Sequence, residues 1–151
     1  MTDTLFAERG SKAELETGHK LSPKFDKDGL IAAVVTDAVT GDLLMVGYMN
    51  AEALKRTIET GEAWYWSRSR QEYWKKGGTS GQVQKVSEIL TDCDQDAIWL
   101  KVTVEGNGAT CHVGYKSCFY RKVELSDAGE ITLSDPTSDR VYDPKDVYGT
   151  K

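Results

Sequence analysis

Apolar residues in this chain come in short runs between polar turns, and most runs carry the two-residue period of a strand. Ile98, Leu100, Val102 and Val104 alternate with Trp99, Lys101, Thr103 and Glu105, the pattern of a strand with one buried face. Leu30 to Val35 and Leu43 to Tyr48 are denser runs, and Thr40-Gly41-Asp42 between them predicts a hairpin turn. Ala63-Trp64-Tyr65-Trp66 predicts a further strand. One helix interrupts the pattern. Asn50 offers an N-cap, Leu54 and Ile58 share one face of Ala51 to Glu59, and Gly61 ends it. Gln82 to Thr91 has Val83, Val86 and Leu90 at helical spacing, but its flanking turns and β-branched content favour a strand. Beyond Gly106-Asn107-Gly108, Ala109 to Leu125 is expected to return as one or two strands.

These elements predict a mainly β domain, bordering on α+β, over residues 25–133. Residues 1–24 form a polar arm or strap without sustained periodicity. Residues 134–151, with Pro136 and Pro144, form an irregular surface tail. A length of 151 residues suits one core without disulfide staples. The net charge of -5 argues against nucleic acid as the main partner. No stretch reaches the roughly 18–20 apolar residues that cross a bilayer. The first residues lack the basic and apolar regions of a signal peptide, so a cytoplasmic setting is expected.

An odd cysteine count favours the same reducing compartment and argues against a disulfide scaffold. The thiols are Cys93, Cys111 and Cys118, and Cys93 sits inside Asp92-Cys93-Asp94-Gln95-Asp96. Thiolates select zinc, whereas carboxylates select hard cations such as Mg²⁺. Three thiolates leave one tetrahedral position for water or substrate. In an extended chain Asp92, Asp94 and Asp96 would share one face, with Cys93 on the other. The plain alternatives are a solvated acidic loop and ordinary buried cysteines. His112, next to Cys111, is either a general base or proton shuttle or a structural hydrogen-bonded residue, since histidine titrates near neutrality. His19 is expected on the surface.

Residues 65–81 concentrate cations, hydroxyls and glycines in an acidic chain. Arg68, Arg70, Lys75 and Lys76 suit phosphate, as do Ser67, Thr79 and Ser80, and Trp66 can stack a purine. A solvated basic loop is the competing reading.

Taken together, Trp66-Ser-Arg-Ser-Arg70, Lys76-Gly-Gly-Thr-Ser-Gly81, Asp92-Cys-Asp-Gln-Asp-Ala97, Cys111-His112 and Ser117-Cys-Phe-Tyr-Arg121 resemble the phosphoribosyl-AMP cyclohydrolase family of histidine biosynthesis. Met49-Asn50-Ala51-Glu52-Ala53-Leu54 fits as well, so the likeness spans about residues 25 to 125. It implies a monofunctional enzyme that opens the N1–C6 bond of 1-(5-phosphoribosyl)-AMP. It also implies an intertwined homodimer whose mixed and antiparallel sheets form a pseudobarrel with one or two short helices. One Zn²⁺ per subunit would be held by Cys93 of one chain with Cys111 and Cys118 of the other, and Mg²⁺ by Asp92, Asp94 and Asp96. Val113 departs from the family pattern, where a threonine is expected. Two rivals remain open. One is a zinc-stabilised module using Trp64, Trp66 and Trp74 to bind RNA or protein. The other is a Mg²⁺-dependent nucleotide pyrophosphohydrolase.

Overall fold

The computed structural model describes residues 6–78 and 81–142. In chain order the elements are α1 (Lys12–Thr17), β1 (Ile31–Asp37), β2 (Leu43–Met49), α2 (Ala51–Thr60), β3 (Trp64–Ser67) and β4 (Glu72–Lys75). They continue with β5 (Gln84–Thr91), β6 (Ala97–Val104), β7 (Val123–Leu125) and β8 (Ile131–Leu133). The protein is thus mainly β, as the alternation predicts, with two short helices.

β1 and β2 pair antiparallel through the expected turn. The Asp37 carboxylate closes it by accepting from the amides of Val39 and Thr40 at 2.8 and 3.0 Å. β6 runs parallel to β1 and antiparallel to β5, giving a mixed sheet in the order β2-β1-β6-β5. Its register stacks the odd residues of β1 over the even residues of β6, with Ala33 beside Ile98 and Val35 beside Leu100. All four are buried, and Leu54 of α2 and Tyr65 of β3 join the same core. Burying each large apolar side chain contributes about 1.5–3 kcal/mol, so this face fixes the fold. Among the described residues this sheet ends at β2 and β5 and does not close into a barrel.

The helix forms where the caps put it. The Asn50 side chain accepts from the Ala53 amide at 2.9 Å, and Gly61 takes the left-handed conformation at φ 73°. Its buried face differs from expectation: Ala53, Leu54 and Thr57 turn inward, while Ile58 stays 38% exposed. Thr57 wins the inner position because its hydroxyl has two partners there. It donates to the Ala53 carbonyl and accepts from the Trp64 amide, both at 2.9 Å, tying α2 to β3.

Three segments depart from the sequence reading. The N-terminal arm contains α1, started by a capping box between Ser11 and Glu14. The basic segment is not one loop, because β3 and β4 pair as a hairpin with Trp66 beside Tyr73. Ala109 to Leu125 is irregular up to β7, because its amides bond within the loop and sideways to β2. Cys111 N donates to Tyr115 O at 3.1 Å and Cys118 N to Leu44 O at 2.7 Å, and Gly114 turns the chain at φ 105°. Such bonding replaces a strand ladder with a knot of tight turns. No helix among the described residues is long and apolar enough to cross a membrane.

Candidate active site

The three aspartates meet in a turn, not along an extended strand. Gln95 at φ 56° folds the chain between β5 and β6. Asp92 then accepts from the amides of Asp96 and Ala97 at 3.0 and 3.1 Å. The result gathers carboxylate oxygens of Asp92, Asp94 and Asp96 within 4.8 Å of one another, all on exposed residues. Burial pushes Asp92 up, but hydrogen bonds from Asp96, Ala97 and Asp94 leave it below the ordinary carboxylate value. Hydrogen bonding to Asp92 and then Asp94 lifts Asp96 to about 6. Like charges this close suit a divalent cation. The N-terminal arm braces the turn: Ser22 N donates to Gln95 Oε1 at 2.7 Å, and Arg9 donates to Asp94 O at 2.9 Å.

Two of the three thiols are together. Cys118 is hydrogen-bonded to Cys111; burial, then the Cys111 thiol, push Cys118 up to about 12 although one side of the residue remains accessible. Tyr65 is fully buried nearby, its hydroxyl donating to Gln84 Oε1 at 2.6 Å. Burial lowers the pKa of Lys76, and the two thiols counter that effect. Cys93 is exposed on the aspartate turn and does not join them. Among the described residues the aspartates are the one group of three potential ligands this close. Within one chain the paired thiols and Cys93 therefore stand apart, Cys111 buried and both Cys118 and Cys93 accessible.

Cys118 also forms part of an open cleft of about 430 Å³ lined by Tyr48, Trp66, Ser67, Arg68 and Arg70. β3 sets Trp66 against Tyr73, with ring centroids 5.0 Å apart, and Arg68 lies over the Tyr48 ring at 3.9 Å. Arg70 donates to Ser67 Oγ at 3.3 Å and lies 3.6 Å from Glu72. Lys75 points elsewhere, to Glu62 at 2.6 Å. Lys76 is 7% exposed and donates to Thr110 O at 2.5 Å. Thr79 and Ser80 lie outside the described residues. His112 is exposed, its carbonyl accepting from the Tyr142 hydroxyl at 3.1 Å. Sequence reasoning overlooked Tyr48. The signal was there, because the period of β2 puts Tyr48 opposite the buried Met49.

A profile of the family "Phosphoribosyl-AMP cyclohydrolase" matches residues 45–120, the span holding the cleft, the aspartate turn and the paired thiols. A Sinorhizobium fredii protein named phosphoribosyl-AMP cyclohydrolase is 57% identical over 152 residues, covering 100% of this chain and 99% of its own. The chain belongs to the phosphoribosyl-AMP cyclohydrolase family. A cyclohydrolase of that name from Nitrobacter hamburgensis is 55% identical over 93% of this chain and 95% of its own. Another, from Rhodopseudomonas palustris, is 57% identical over 90% and 89%. Within the cyclohydrolase family the chain is an enzyme, a hydrolase of a cyclic C–N bond, as the family resemblance of its motifs implies.

Proposed function

We propose that the chain opens the adenine ring of 1-(5-phosphoribosyl)-AMP at N1–C6, a step of histidine biosynthesis. The observation that supports this reading is the cleft, where side chains suited to purine stacking and phosphate binding line the same space as Cys118. Trp66 stacks the base, and Arg68 and Arg70 bind the phosphates through guanidinium groups suited to bidentate contact. Ser67, Thr79 and Ser80 add hydroxyl contacts, and Lys75 would have to leave its ion pair with Glu62 to add its charge.

Cys111 and Cys118 would hold zinc with Cys93 from a second copy, and Asp92, Asp94 and Asp96 would hold magnesium. When bound, zinc supplies a Lewis acid that brings the pKa of a water toward about 7, and magnesium adds positive charge for phosphate. His112, next to the ligand Cys111, takes or delivers the proton at the departing N1. Water oxygen ends on C6 as the carboxamide oxygen, while N1 keeps its ribosyl group and gains a proton. The two-copy arrangement carries with it the intertwined homodimer and the pseudobarrel. A reducing cytoplasm keeps the thiols available.

Metal analysis beside a spectrophotometric ring-opening assay tests the reading. Wild-type protein is expected to hold zinc and turn over, Cys111→Ser to lose both, and His112→Ala to lose kcat more than substrate affinity. Full ring opening by zinc-free protein would end the zinc reading. Phosphate-bond hydrolysis that survives loss of every thiol would instead favour a pyrophosphohydrolase.

A further inference from the structure

Lys76 opens the Lys76-Gly77-Gly78 segment, where its charge reads most simply as a phosphate ligand. Its surroundings fit another task. Lysine is almost never this buried without a partner, because removing an ammonium from water is costly. Here the ammonium lies 5.3 Å from the Trp74 ring centroid and donates to the Thr110 carbonyl, one residue before Cys111. No carboxylate among the described residues forms an ion pair with it. The ionisable groups that act on it are the Cys118 and Cys111 thiols. Thr110 is fully buried too, and its hydroxyl has no hydrogen-bond partner among the described residues, so polar capacity next to Cys111 in the chain is left for a group that enters there.

We propose that Lys76 is a positioning residue for the thiol pair: its buried ammonium offsets the negative charge that Cys111 and Cys118 carry when they ligate a metal, and its bond to Thr110 fixes the Cys111 loop. This rests on the zinc reading given above. Three thiolates and one divalent zinc ion sum to a single negative charge, which one ammonium cancels. A charge balanced on site avoids leaving an anionic cluster against the apolar core next to Tyr65. Lys76 therefore acts through the thiols and does not touch substrate phosphate.

The decisive comparison is zinc affinity, read by competition with a chromophoric chelator, for wild type, Lys76→Gln and Lys76→Arg. Gln keeps a donor for Thr110 but lacks charge, and Arg keeps both. Removing a group that supports metal ligands typically weakens metal binding about 10–100-fold, and K76Q is expected in that range. K76R should recover most of the affinity, and at saturating zinc the KM of K76Q should match wild type. K76Q binding zinc as tightly as wild type overturns the proposal, as does a raised KM with unchanged zinc affinity, the outcome for a phosphate ligand. Should K76Q fail to fold, K76R decides: affinity within a few-fold of wild type supports the charge role, and a loss as large as that of Cys111→Ser overturns it. Wild-type protein that holds no zinc would refute the zinc reading itself, a result distinct from any of these.

Discussion

The Asp92 carboxylate accepts from the Asp96 amide at 3.0 Å, so one side chain both offers an oxygen to the acidic cluster and shapes the turn that builds it. Two substitutions separate these roles. Asp92→Asn keeps an acceptor for the Asp96 and Ala97 amides and should melt near wild type, yet need far more magnesium for activity. Asp92→Ala loses both hydrogen bonds, each worth about 1 kcal/mol net, and should also melt lower. Equal magnesium dependence in D92N and wild type would remove Asp92 from the cation site.

Arg68 tests the cleft. Its guanidinium is presented over the Tyr48 ring and has no carboxylate ion pair among the described residues. Replacing it with alanine should raise KM about tenfold or more and leave kcat within a few-fold, the mark of lost substrate binding. Steady-state kinetics showing an unchanged KM would move the phosphate site off this wall.

Glycine chemistry in the basic segment has a backbone cause at Gly77. A Cβ there would sit 2.2 Å from Val83 N and 2.4 Å from Gln82 C, at φ +87°. Gly77→Ala should therefore cost roughly 3 kcal/mol or more, combining strain with a backbone clash. Gly78→Ala, whose Cβ would meet only Lys75 O at 3.3 Å, should be far milder. Thermal melts that rank the two the other way would contradict this packing.

Much of the fold was readable because one physical rule governs it. The two-residue period marks which side of β1 and β6 is buried, and Asn50 and Gly61 delimit α2 by satisfying its end groups. Where side chains decide, the pattern misleads. Thr57 displaces Ile58 from the core through hydrogen bonds that hydropathy does not register. The knot around Cys111 and Cys118 lacks strands because its amides bond sideways, a choice no periodicity encodes. The residues that the structure gathers into the carboxylate group and the cleft were singled out in the sequence from Asp92 to Asp96 and from Trp66 to Arg70. Position was not legible: Lys76 reads as a phosphate ligand and is buried, donating to Thr110 in a loop 34 residues downstream.

Glu62 supplies a pH signature. Hydrogen bonds from Lys75 and Lys85 hold its carboxyl at about 2, well below its ordinary 4.5. A lowered folded-state pKa means the stabilisation is present above pH 4.5 and is lost as pH falls toward 2. Acid unfolding of Glu62→Gln should lack this component, so its stability relative to wild type should improve as pH falls through that window. A constant gap between the two proteins at every pH would show the ion pairs to be inert.

A zinc site shared between two chains is best tested by mixing inactive variants. Cys93→Ser and Cys111→Ser are each expected to lack zinc and activity alone. Unfolded together and refolded, they should form mixed dimers in which Cys93 of one chain meets Cys111 and Cys118 of the other. Random pairing makes about half of the dimers mixed, each with one intact site, restoring about a quarter of wild-type zinc and ring opening. Mixtures that stay as empty and inactive as the separate variants would contradict the shared site.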